Sequence, residues 1–166
     1  MTRRQAGLLL AAIHVALVGS LGLKLLVDRA RLPRAWARTE PYDPSTPLRG
    51  RYVRLALEIP LATLPAERGG YTEPGVRLRA IDGKVVGELD DAVASPRVRL
   101  RNEAGTWSSR LAEPMAFFIP EHVPDPSRRP PGEELWAEVT IPGSGPPRPI
   151  RLGVTKEGKL TPLELK

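Results

Sequence analysis

The chain predicts a mainly β protein: one N-terminal transmembrane α-helix, then a compact antiparallel β-sandwich or barrel-like domain. Three observations lead there. Residues Ala6 to Val27 form a single apolar run of 22 residues. Beyond it, short stretches alternate apolar and polar side chains with the period of two that a half-buried strand requires. The chain carries 19 prolines, and nothing after the apolar run has helical periodicity. Short strands separated by proline-rich turns are the pattern of a sandwich or barrel.

Taken in order, residues 1–5 are a short tail carrying Arg3 and Arg4. Residues 6–27 span roughly 33 Å as a helix, about one hydrocarbon core. Lys24 sits near the end of the run, where its stem can carry the ammonium to the interface. His14 lies deeper, tolerated as a neutral imidazole or set against a partner's helix. The run exceeds the roughly 7–15 residues of a cleaved signal core. The nearest small-x-small site, Ala35-Trp36-Ala37, falls well beyond its end, so the segment is expected to be a retained signal-anchor. Residues 28–47 are expected to form a juxtamembrane stalk, because Pro33, Pro41, Pro44 and Pro47 forbid a long helix.

The β-rich domain is expected over residues 48–166. Val53, Leu55, Leu57 and Ile59 alternate with Tyr52, Arg54, Ala56 and Glu58, a strand closed by Pro60. Val76 to Ile81, then Asp82-Gly83, then Lys84 to Val86 reads as a hairpin, since Asp-Gly favours a type I′ turn. Arg97 to Arg101 alternates again, and Glu113 to Ile119 reads as a more buried strand ending at Pro120. Leu135–Ile141 and Ile150–Thr155 flank a Pro/Gly loop, with a short last strand from Lys159. Loops 62–74 and 121–134 are the longest and are where binding residues are expected.

The charge has a definite place. Residues 1–40 hold seven Lys/Arg against Asp28 and Glu40, a net of +5, whereas residues 41–166 hold 18 against 17. Basicity therefore belongs to the membrane flank, and a nucleic-acid partner is not expected. Arg29, Arg31, Arg34 and Arg38 are instead placed for contact with anionic lipid headgroups. The absence of cysteine removes disulfides, thiolate chemistry and cysteine-bound zinc.

Candidate chemistry is sparse. Glu121, His122 and Asp125 would be the acid–base set of an envelope enzyme, but no nucleophile is paired with them by any motif. A loop histidine beside prolines is the plainer reading. The alternating arginines at 77 and 79, and at 97, 99 and 101, read as solvated strand faces with acids opposite. As a cationic stripe they would make an anionic lipid- or polymer-binding module. Trp107 reads as a partly buried core residue. No cofactor, metal or catalytic residue is expected.

The segment from Glu40 to Leu55 is more specific. Its Asp43-Pro44 turn, Leu48-Arg49-Gly50 approach and Gly50-x-Tyr52-x-x-Leu55 strand follow an N-terminal membrane helix. It resembles the GDYXXLXY family of membrane-anchored bacterial proteins. Arg51 stands where that family has Asp, and Leu57 where it has the last Tyr. Phe117-Phe118-Ile119-Pro120-Glu121 is similar to an aromatic-x-x-Pro-Glu stretch of such proteins. At Asp43, Pro44, Gly50, Tyr52 and Leu55 the physical roles are structural: a turn, a tight strand entry and a core contact.

The resemblance implies a bacterial inner membrane protein with a periplasmic domain, partnered with a multi-pass membrane protein. It implies no activity. Lys24, Arg29, Arg31, Arg34 and Arg38 outnumber Arg3 and Arg4 and favour the opposite orientation. The outward domain is the expectation carried forward, in a non-enzymatic accessory or binding protein.

Overall fold

The computed structural model describes residues 2–41, 52–64, 71–103 and 106–165. It divides into two compact units, Met1–Leu32 and Pro33–Lys166.

The first unit is α1, Arg3–Arg31, a helix of 29 residues. At 1.5 Å per residue it is roughly 43 Å long. Thr2 opens it with a capping box: Gln5 N–H donates to the Thr2 hydroxyl at 3.4 Å, and Thr2 N–H donates to Gln5 Oε1 at 2.8 Å. Arg29 and Arg31 occupy the last turn, where cations suit the helix dipole. None of its residues is buried, and Leu8, Val15 and Val18 are each more than 70% exposed. It is long and apolar enough to cross a membrane. Its backbone groups bond within the helix, which is what a hydrocarbon surrounding would demand. His14 Nδ1 lies 2.8 Å from the Leu10 carbonyl, so the imidazole donates within its own helix.

The second unit is the β-domain. Its strands are β1 Arg34–Pro41, β2 Tyr52–Leu57, β3 Tyr71–Thr72, β4 Val76–Ile81, β5 Lys84–Leu89, β6 Val98–Glu103, β7 Thr106–Leu111, β8 Met115–Phe118, β9 Glu133–Thr140, β10 Arg148–Lys156 and β11 Lys159–Pro162. One sheet runs β11-β10-β9-β1-β2-β8, and the β4–β5 hairpin joins it through β5 alongside β1. A second sheet is β3-β6-β7. All strand pairings are antiparallel except β1 with β5, which is parallel, so the larger sheet is mixed.

The centre of the larger sheet is a surprise. The expected stalk over 28–47 is not one where it is described. α1 runs to Arg31, and Arg34–Pro41 is β1, pairing with β9 over Arg34 to Arg38 and with β2 over Thr39 to Pro41. The domain therefore begins at residue 33, not 48. The physical reason is the size of the inward side chains. Ala35, Ala37 and Thr39 are 1%, 2% and 5% exposed, yet they are too small to register as a hydrophobic stripe. The Thr39 hydroxyl satisfies itself by donating to the Leu135 carbonyl at 3.0 Å. Pro33 and Pro41 bound the strand rather than forbidding one.

The predicted alternation holds where side chains are large. Leu55, Leu57 and Ile59 are fully buried and Val53 nearly so. Each such Leu or Ile contributes about 1.5–3 kcal/mol through burial. The β4–β5 hairpin turns at Asp82 and Gly83, with φ of 50° and 72°, the left-handed pair that a type I′ turn needs. Gly83 also accepts a hydrogen bond from Trp36 N–H at 2.8 Å, which seats the hairpin against β1. β8 departs from expectation: Met115 and Ile119 are buried, but Phe118 is 74% exposed. Its ring meets that of Tyr52, tilted, at 6.2 Å.

Candidate functional site at an arginine-rimmed groove

Two adjoining clefts share the segment Ala94-Ser95-Pro96. The larger, about 690 Å³, lies between β4 and the loop Pro142–Gly145, with Arg77, Leu78 and Arg79 on one wall. The smaller, about 310 Å³, is lined by Glu73, Arg97, Arg99 and Leu111. The arginine rows of β4 and β6, which belong to different sheets, thus flank one loop.

That loop is wound tightly on Gly75. Asp90 N–H donates to the Gly75 carbonyl and Val93 N–H to the Asp90 carbonyl, both at 3.0 Å. Val76 N–H donates to the Pro96 carbonyl, also at 3.0 Å. A Cβ on residue 75 would overlap the carbonyl oxygens of Val93 and Asp90, so only glycine fits.

The acids expected opposite the arginines are present. Arg77 binds Asp90 at 2.7 Å, Arg79 binds Glu88 at 3.0 Å and Arg99 binds Glu73 at 3.0 Å. Arg97 Nε donates to the Glu73 carbonyl at 2.8 Å. The Arg77 guanidinium, assisted by Ala92 N–H at 3.0 Å, holds the Asp90 carboxyl below the usual carboxylate range. The hydrogen bond to Asp90 likewise raises Arg77. Buried Leu78, Pro96 and Leu111 lie between these pairs. An apolar floor with hydrogen-bonding groups along both rims suits an extended ligand, a peptide segment above all.

A second cluster joins the two sheets. Arg38 reaches Glu58 at 3.5 Å and Glu134 at 3.0 Å, and Arg110 reaches Glu40 at 2.8 Å. Glu40, Glu58 and Arg110, with Trp107, border a cleft of about 250 Å³. Burial pushes the Glu58 carboxyl up; Arg38 opposes this, and a hydrogen bond with Glu40 raises it further.

The sequence-predicted residues are scattered among these features. Asp43, Pro44 and Gly50 lie outside the described residues. Leu55 is fully buried, as its proposed core role requires, and the Tyr52 hydroxyl is buried without a partner among the described residues. Arg29 and Arg31 end α1, whereas Arg34 and Arg38 lie on β1, where Arg38 is engaged by two glutamates. Those two contacts turn Arg38 from a lipid-facing charge into a fixture of the fold.

Glu121 and His122 are exposed in a turn. Asp125 Oδ1 accepts from the Ser127 N–H at 2.9 Å and hydroxyl at 2.7 Å, tying it to its own loop. Trp107 is half-buried and packs against the core, as expected. No group of three or more His, Asp or Glu among the described residues is placed to hold a metal ion. Of the loop 62–74, Glu73 reaches the groove.

Sequence reasoning missed the loop at 92–96 and the tryptophans Trp36 and Trp136. Arg151 lies over the Trp36 ring at 5.4 Å and Lys84 over the Trp136 ring at 5.7 Å. The signal available was the alternation of Trp36 with Ala35 and Ala37, which marks the indole as outward-facing. No family model, curated protein or solved structure matches this chain.

Proposed function

We propose that this chain is a single-pass membrane-anchored accessory protein of the bacterial inner membrane. Its β-domain faces the extracytoplasmic side and uses the groove at Ala94–Pro96 to bind an extended segment of a multi-pass membrane protein. It performs no catalysis of its own. The observation that carries the reading is the join between anchor and domain. Only Leu32 and Pro33 separate α1 from β1. Two extended residues reach about 7 Å. A domain tethered so closely meets partners at the membrane surface, not at a distance from it.

The join also bears on the alternative of a cleaved leader. Cleavage after Ala37 would remove half of β1, including its pairing of Ala35 with Val139 and Trp36 with Glu138. A retained anchor keeps the central strand whole.

Three measurements test the proposal. A periplasm-dependent reporter fused after Lys166 is expected to be active; activity only from a cytosol-dependent reporter would reverse the orientation. A photo-crosslinking residue at Ser95 is expected to capture one multi-pass membrane protein in intact membranes, and the same residue at Gly158, in the β10–β11 turn, is not. Equal capture from both positions would remove the groove from the proposal. His122→Ala is expected to leave function unchanged, and loss of function would revive the enzyme reading.

A further inference from the structure

The outward face of β1, β9 and β10 has a composition that the proposed binding groove does not explain. Inward, Ala35 and Ala37 meet the core; outward, the same strand presents Arg34, Trp36 and Arg38. The register sets Trp36 beside Glu138 and Arg38 beside Trp136 on β9. On β10, Arg151 stands beside Glu138 and Gly153 beside Trp136.

Trp36 packs against Gly153: a Cβ there would come within 2.8 Å of the ring. Arg151 covers the other part of this aromatic surface, and its Nε donates to Glu138 Oε2 at 2.6 Å. Lys84 lies over the Trp136 ring and is exposed, and the Arg151 side chain is 50% exposed, while its partner Glu138 is 7% exposed. Solvent therefore meets guanidinium, ammonium and indole, with the acid hidden.

We propose that this face, formed by Trp36, Trp136, Lys84 and Arg151, docks on the anionic phospholipid headgroups of the bilayer that α1 crosses. Two observations select that occupant. The first is charge. The end of the face at the start of β1 carries Arg34, Lys84, Arg148 and Arg151, and the acids Glu40, Glu58 and Glu134 gather at its far end. The second is chain continuity, since the cationic end is the one where the chain enters the domain, two residues after α1. Half-exposed Trp36 can settle at the headgroup level as an apolar body with one polar edge, while Trp136, whose Nε1 is buried, backs Lys84. Lys and Arg beside them gain from a negative surface within a Debye length. Docking would fix the groove's height above the bilayer.

The inference rests on the anchor reading, and the experiment separates the two. The full chain is reconstituted in nanodiscs of phosphatidylcholine, with or without phosphatidylglycerol, containing a lipid spin-labelled at its headgroup. Single-tryptophan chains retaining Trp36 or Trp107 report on two different sheets. In discs with phosphatidylglycerol, Trp36 is expected to be quenched about threefold more than Trp107, and about 0.5 M salt abolishes the difference by shortening the Debye length.

Lys84→Glu, an exposed change at the hairpin, is expected to reduce the docked fraction about tenfold. Equal quenching of the two tryptophans, or quenching indifferent to lipid composition, overturns the docking. The tryptophan replacements are to phenylalanine, and unchanged circular dichroism of each single-tryptophan chain guards against misfolded variants. Resistance of the chain to alkaline extraction from membranes tests the anchor separately. A chain that resists extraction but shows no preferential quenching loses the docking surface and keeps the anchor; a chain that is extracted loses both.

Discussion

Arg77, Arg79 and Arg99 around the groove are met by carboxylates at the protein surface, whereas Lys84 and Arg151 on the outer face lie over indole rings. The same cations are thus held by two kinds of partner. Exposed ion pairs are screened by salt and vanish when the acid is protonated. A cation over a ring depends also on the ring staying where packing puts it, and Arg151 has both kinds of partner, since its Nε donates to Glu138. The groove is held by charge, and the outer face by charge and shape together.

The comparison can be broken most forcefully at the two glycines that support each region. Gly75→Ala forces a Cβ against backbone oxygens that cannot swing aside, and is expected to destabilise the domain by about 3 kcal/mol in thermal unfolding and to open the 90–96 loop. Gly153→Ala pushes instead on the Trp36 ring, a side chain that can yield. The expected cost is about 2 kcal/mol, with a shift of tryptophan emission that the Gly75 variant does not share.

Charge substitutions sharpen the contrast with smaller effects. The folded-state value of Glu58 lies above its unfolded one, so the folded state binds more protons through that interval. Its stabilising contribution is complete below the unfolded value and is lost as pH rises through the folded one. Glu58→Gln, which imitates the protonated acid, is expected to flatten this dependence and raise stability at neutral pH, measured by denaturation across pH. Asp90 has the opposite sign: its contribution is present above the unfolded value and lost as pH falls through the depressed folded one. Arg77→Ala is expected to move the Asp90 titration upward in an NMR experiment and to leave the fold intact. An unchanged Asp90 titration would show that the pair does not persist in solution.

How far the sequence foretold these regions depended on side-chain size and on distance along the chain. β2 and the β4–β5 hairpin were readable because Val53, Leu55, Leu57 and the Asp82-Gly83 turn carry strong local signals. β1 was not, because its buried side is Ala35, Ala37 and Thr39. β7 escaped for a related reason: Trp107, Ser108 and Ser109 are all half-buried, so no alternation marks them. The arginine rows were recognisable as strand faces, and their acid partners were foreseen. That both rows flank Ala94–Pro96 was not, because the juxtaposition depends on how β4 and β6 pack. Trp36 and Trp136 come onto one face through the pairing of β1 with β9, across about 100 residues, for which no local pattern exists.

The position of β1 has a consequence for the order of folding. The strand at the centre of the larger sheet is the first of the domain to be synthesised, yet its longest partner, β9, ends at Thr140. Until that residue is available, Arg34 to Arg38 have no antiparallel neighbour on that side, and Thr39 has no Leu135 carbonyl to donate to. Such non-local closure is slow, because the loop entropy must be met before the pairing rewards it. An emerging chain of this kind has α1 complete as a helix while β1 still has open edges. The interval before residue 140 arrives is when the domain is most exposed to mispairing, and when a chaperone acting at the membrane would have the most to protect.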